Sequence, residues 1–170
     1  MNGQTLVAAI KALGADGLAE EVDQAIGSEV LRLNTNLHIE LRGPDGELKD
    51  VRDLHNIVCT VGKNKLLAVA GGSALTAFAY IAIGTNATAV AVTDTILGTE
   101  VARSPVQTPT NPTAASYQVL YNFPAGTGTG AIVESGLLDA ASVGNLFAHQ
   151  TFLVINKAAG DTLQITWTIS

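Results

Sequence analysis

From Thr162 to Ile169 the chain alternates without a break: Leu163, Ile165, Trp167 and Ile169 fall on one side, Thr162, Gln164, Thr166 and Thr168 on the other. A period of two over eight residues is the signature of a strand with one buried face and one wet face. The same period runs through Leu37, Ile39 and Leu41, and through Tyr117, Val119, Tyr121 and Phe123. Between the first of these and a return strand at Leu48 to Val51 lies Gly43-Pro44-Asp45-Gly46. Proline pre-sets the backbone at the first corner and Gly46 tolerates positive φ, so the spacing predicts a hairpin near 37–52. Its charges, Glu40, Arg42, Asp45, Glu47, Lys49, Asp50, Arg52 and Asp53, mark it as solvent-exposed.

Further strands are expected over Phe78–Ile83, Thr99–Val106 and Asn145–Ile155, with a helix over Lys63–Ala70 stopped by Gly71-Gly72. Pro105, Pro109 and Pro112 predict a loop, because proline cannot donate within a central strand. Seven or eight strands joined by short turns leave little room for crossover helices. The expected fold is therefore mainly β: an antiparallel β-sandwich, Greek-key or jelly-roll-like, over residues 29–170.

Residues 1–28 follow a different period. Leu6, Ile10 and Leu13 form a helical stripe, and Asp16 is placed to cap a second helix carrying Leu18, Val22 and Ile26. Helices this short do not bury their stripes alone. The segment is read as an anchoring or bracing element, with Leu18, Val22 and Ile26 as candidate interface residues.

Nine basic residues stand against 15 acidic ones, for a net charge of -6. That balance makes the chain a poor general nucleic-acid binder. Fifteen of the 24 charged residues precede Val61, so the remainder is unusually short of charge. Depletion of charge fits surface covered by neighbouring subunits, and the expected state is a homo-oligomer, with a trimer as the leading count. Leu66–Ile83 is apolar but broken by Gly71, Gly72, Ser73 and Thr76, which argues against a membrane helix. The start, Met1-Asn2-Gly3-Gln4, lacks the basic region of a signal peptide, and synthesis without export is expected.

Candidate chemistry is sparse. Cys59 is the single cysteine, which leaves no intrachain disulfide, and is read as a small buried hydrophobe. Gly126, Gly128 and Gly130 lack the lysine of a phosphate-binding loop. His38, His55 and His149 show no metal-ligand spacing, and Ser135 stands outside a nucleophile elbow. Asp94, Glu100, Glu134 and Asp139 are scarce acids without a paired-carboxylate pattern. No catalytic, metal or cofactor-binding residue is assigned, and no enzyme activity, metal or cofactor is expected. Glu100 and Arg103, three apart on a strand, are expected to face opposite sides. Arg103 is the fourth candidate interface residue, because a guanidinium makes planar bidentate contacts. Trp167 is read as core.

With the runs His55-Asn56-Ile57-Val58, Gly62-Lys63-Asn64, Phe78 through Thr85 and Glu134-Ser135-Gly136-Leu137, the chain from His55 onward resembles a family of small structural proteins of tailed bacteriophages. The resembling residues also include Asp94-Thr95, Leu97 and Thr99 through Arg103. They continue with Gly126, Gly128, Gly130, Lys157 and Asp161-Thr162-Leu163. The resemblance implies a non-enzymatic virion protein, assembled in the bacterial cytoplasm, whose partners are other virion proteins. Capsid decoration is the leading expectation, bound to the major capsid protein. The alternatives are a tail-fibre, collar or baseplate component, and a carbohydrate-binding adhesion module using Tyr80, Tyr117, Tyr121, Phe123 and Trp167. No nucleic acid or membrane partner is expected.

Overall fold

The computed structural model describes residues 33–74, 76–107, 109–113 and 116–170. The segment 1–28, with Leu18, Val22 and Ile26, lies outside the described residues. Among the described residues nine strands follow one another: β1 (Thr35–Arg42), β2 (Leu48–His55), β3 (Ile57–Val58), β4 (Tyr80–Gly84), β5 (Glu100–Pro105), β6 (Tyr117–Phe123), β7 (Gly130–Leu138), β8 (Leu146–Lys157) and β9 (Thr162–Ile169). One helix, α1 (Thr60–Ala70), intervenes between β3 and β4. They form a four-stranded sheet in the order β2-β1-β9-β6 and a five-stranded sheet in the order β3-β8-β7-β4-β5, with antiparallel pairing throughout. The fold is the expected antiparallel β-sandwich.

The alternating strand β9 lies in the middle of the first sheet, paired to β1 on one side and β6 on the other. Its register explains the three apolar rows seen in the sequence. Leu163 stands between Leu41 and Phe123, Ile165 between Ile39 and Tyr121, and Trp167 between Leu37 and Val119. These rows meet Ile81, Ile83, Ile132, Leu137, Phe147 and Ile155 of the second sheet in one buried core.

The hairpin closes where expected. Gly43 N–H donates to Glu47 O at 2.9 Å, Gly46 N–H donates to Gly43 O at 3.0 Å, and Gly46 adopts φ +83. The returning strand runs on to His55, beyond the expected Val51, and through Asn56 the chain passes directly into β3 of the other sheet. The helix starts at Thr60 rather than Lys63. Its first N–H donates to Val92 O at 2.7 Å, so a distant loop satisfies a group that no local side chain caps. Gly71 and Gly72 end it, donating to Leu67 O and Val69 O. Among the described residues no helix is long and apolar enough to cross a membrane.

The expected opposition of Glu100 and Arg103 is overturned. Glu100 pairs with Gly84 and Ala102 with Ile83, so Val101 is an extra residue in β5. A bulge of one residue flips the parity of side chains beyond it. Glu100 and Arg103 therefore share a face, with Arg103 Nε 2.9 Å from Glu100 Oε1 and Nη2 2.5 Å from Oε2.

Candidate functional site

The second sheet carries apolar residues on both faces. Ile81, Ile83 and Leu137 enter the main core, while Ala82 and Leu138, one step along, join Cys59, Leu97 and Leu146 in a smaller cluster on the opposite face. What covers that second face is the long connection between β4 and β5, residues 85–99. Leu97 from this loop rests on Gly136. A Cβ there would lie 2.5 Å from Leu97 Cδ1 and 2.7 Å from Leu146 Cδ1, so a side chain at this position would push both leucine tips aside.

Beside this contact is a buried node of ionisable side chains. Glu134, on β7, is fully buried. Its Oε1 accepts the N–H of Asn86 at 3.1 Å and of Thr99 at 2.8 Å; its Oε2 accepts the N–H of Gly98 at 3.0 Å. One carboxylate thus holds both ends of the covering loop. The neighbouring β8 supplies His149, whose Nε2 lies 3.1 Å from Glu134 Oε2 and whose Nδ1 lies 2.8 Å from Asp94 Oδ2. Asp94, in the middle of the loop, also accepts the N–H of Ala91 at 2.9 Å. A burial this complete is tolerable because every oxygen of Glu134 meets donors. A cavity of about 200 Å³ opens beside the node, lined by Asn86, Thr88, Asp94, Ile96, Glu134 and His149.

Hydroxyl and thiol groups near the node are engaged elsewhere or unreactive. Ser135 donates to Ala82 O at 3.0 Å, and burial, with Asp94 as a second cause, pushes the Cys59 thiol up to about 11. A thiol that stays protonated at neutral pH is a packing group. Among the described residues no group of three or more His, Cys, Asp or Glu is arranged to hold a metal ion.

A second node fixes the turn between β7 and β8. Asp139 accepts Asn145 N–H at 2.7 Å and Asn145 Nδ2 at 2.8 Å, and forms an ion pair with Lys65 of α1. Burial pushes the Asp139 carboxyl up, but the hydrogen bonds from Asn145 and Lys65 outweigh it and hold the group below the usual carboxylate range. Arg103 completes the arrangement. Its Nη1 donates to Ala140 O at 2.8 Å and Val143 O at 2.9 Å, while the rest of the guanidinium grips Glu100. The Arg103 side chain is 9% exposed, so its planar contacts are made within the chain. The turn it supports presents Val143 at φ 58 and 81% exposed. A β-branched residue in the left-handed region is strained, and the carbonyl contact from Arg103 is one force that holds it there.

At the opposite end of the sandwich, Lys157 is 1% exposed and donates to Pro124 O at 3.0 Å and Asp161 O at 2.7 Å. Burial lowers its ammonium from the ordinary value, against the pull of the Asp161 charge. Asp161 in turn accepts Lys49 Nζ at 2.7 Å and Ala158 N–H at 3.0 Å. Those contacts, Lys49 first, hold its carboxyl below the usual range.

On the exposed hairpin, His38 Nδ1 lies 2.7 Å from Asp53 and Nε2 lies 3.3 Å from Glu40. The hydrogen bond that the ring donates to the Asp53 carboxylate raises the imidazole above its ordinary value of 6.5, with burial opposing and Glu40 assisting. The resulting stabilisation is fully present below the unfolded value and is lost as pH rises through the folded one. The ring is 36% exposed, so solvent screens the effect. A proton NMR titration is expected to place His38 above its ordinary value of 6.5, and Asp53→Asn is expected to lower it; an unchanged midpoint in that variant contradicts the assignment.

The acids noted in the sequence thus separate by environment. Glu134 and Asp94 converge on His149, Asp139 and Glu100 fix the β7–β8 turn, and His55 lies apart at the end of β2. The sign that could have singled out Glu134 is a lone acid within the apolar run Ile132–Leu138, because a charge in a buried strand requires partners. No family model, curated protein or solved structure matches this chain, so its functional reading rests on its own residues.

Proposed function

We propose that the protein is a non-enzymatic structural component of a bacteriophage virion, bound to the capsid as a decoration protein. The observation that carries this reading is the use of the residues that resemble the phage family. Asp94, Leu97, Thr99, Glu134 and Gly136 meet at one place, where they pin a long loop over the outer face of a sheet. The motif is thus a device for holding surface shape, as a protein needs when its work is to fit against other subunits. Exposed apolar side chains on that loop, Val92 at 49% and Ile96 at 60%, give it surface to bury against a partner.

The resemblance itself pulls toward a tail or collar position. The described residues form a sandwich with no repeating shaft among them, which favours the capsid. A carbohydrate-binding module needs exposed coplanar rings. Trp167 and Phe123 are fully buried, and Tyr121 packs edge-on against Phe123 at 4.9 Å, which weakens that reading. A map of the intact particle with this chain located tests the proposal. Density repeated over the lattice of major capsid subunits is expected; density confined to one vertex or the tail rejects decoration.

A further inference from the structure

Among the described residues strand β2 is the outer strand of its sheet, hydrogen-bonded to β1 alone. Such an edge is a template for another strand unless something opposes pairing. Here the sequence of the edge is antisymmetric in charge about Val51. Reading outward from it, Asp50 mirrors Arg52, Lys49 mirrors Asp53, Leu48 mirrors Leu54 and Glu47 mirrors His55. Two copies laid antiparallel with Val51 opposite Val51 bring Asp50 against Arg52 on either side of the axis; the outer mirror pairs fall where Lys49 is an extra residue in β2 and the ladder is irregular.

The backbone has the matching parity. Asn34 and Ser170 exchange both hydrogen bonds, at 2.7 and 2.9 Å, so even-numbered residues of β1 face β9 and odd-numbered ones face β2. Thr35 accordingly accepts Asn56 N–H at 3.5 Å. Through the observed register, Arg52 and Leu54 direct their backbone groups at β1, and Val51 and Asp53 direct theirs at the free edge. A two-fold contact centred on Val51 therefore places donor opposite acceptor. The register irregularity opposite Leu41 and Arg42 bends β2 before Asp50, which confines the regular ladder to the residues about Val51.

The alternatives are opposed by the same charges. Centring on Arg52 sets arginine against arginine, and centring on Asp50 sets aspartate against aspartate. Asp50 and Arg52 pair with each other within the strand, Arg52 Nε and Nη2 each donating to an Asp50 oxygen at 2.7 Å, and remain 27% and 26% exposed, so each can also meet its opposite charge on a second copy; Val51 is 41% exposed. Because β2 leads through Asn56 into β3, the free stretch of β8 lies on the same flank. It adds Leu153, 77% exposed, and Val154, 47% exposed.

We infer that β2 is the self-association edge of this protein, pairing antiparallel with β2 of a second copy about a two-fold axis at Val51. An isologous contact of this kind closes at two copies, in place of the trimer expected from the sequence. The inference is independent of the virion reading.

Sedimentation equilibrium of the full chain tests it with Asp50→Arg and Arg52→Asp. Each variant alone places like charges across the axis; mixed, they place Arg pairs against Asp pairs. The wild type is expected at twice 17.5 kDa, each variant alone at 17.5 kDa with unchanged far-ultraviolet dichroism, and the equimolar mixture again at twice that mass. Val51→Pro, which removes an outward N–H and leaves the β1 ladder intact, is expected to be monomeric and decides the matter if a charge variant fails to fold. A monomeric wild type, a variant that keeps the wild-type mass, or a mixture that stays monomeric overturns the inference.

Discussion

Trp167→Ala is expected to destabilise the domain by about 3–5 kcal/mol, the usual range for removing a large aromatic side chain from a core. Trp167 is fully buried on the central strand of its sheet, between Leu37 and Val119, so its loss opens a cavity bounded by two neighbouring strands. Both sheets contribute to the cluster it joins, which restricts how far the walls can collapse. A loss of that size is a large share of the stability of an ordinary domain. Trp167→Phe is a sharper comparison. It keeps a ring and removes an indole N–H that finds no hydrogen-bond partner among the described residues. A buried orphan donor itself costs about 1–3 kcal/mol, so the Phe variant should retain most of the wild-type stability. Urea unfolding of the two variants checks the order. Because Trp167 is the single tryptophan, wild-type emission should also be blue-shifted and resist iodide. Equal stability of wild type and Trp167→Ala, or red-shifted quenchable emission, contradicts burial.

Glu134→Gln is expected to be strongly destabilising, by about 1–3 kcal/mol for each buried donor left without its acceptor. The two side chains have nearly the same shape, but the amide replaces one accepting oxygen with a donor. Either it faces the N–H groups of Asn86 and Thr99, or it faces Gly98 N–H and His149. In both orientations donors oppose donors inside the protein. The damage should concentrate where those bonds end. Hydrogen exchange is expected to accelerate at Asn86, Gly98 and Thr99, while amides of β9 keep their protection relative to global unfolding. Uniform acceleration across both sheets would make Glu134 a core residue without a special hold on the loop, and unchanged exchange would deny it any hold.

The sequence made strands legible where one face is buried and the other is wet. Leu163, Ile165, Trp167 and Ile169 announced β9 because its inner row touches the core on one side only. The hairpin was legible because its turn is local, with Pro44 and Gly46 setting the backbone. Residues 85–99 had no such pattern. Their shape comes from Glu134, more than 30 residues further along the chain, and from His149 beyond it. The Glu100–Arg103 pair was misread for a related reason: Val101 adds one residue to β5, and a bulge leaves no mark on period counting. The burial of Glu134 and Lys157 was likewise hidden, since a charged residue reads as exposed until its acceptors and donors, brought in by distant turns, are in place. The N-terminal segment with Leu18, Val22 and Ile26 lies outside the described residues.

Surface shape, rather than a reactive centre, is what this fold is proposed to provide, and the copy number of the protein on purified particles is the most direct measure of that claim. Quantitative mass spectrometry against the major capsid protein supplies it. Decoration predicts a stoichiometry near or above one copy per several capsid subunits. A handful of copies per particle moves the protein to the tail or collar, and its absence from purified particles contradicts a virion role altogether.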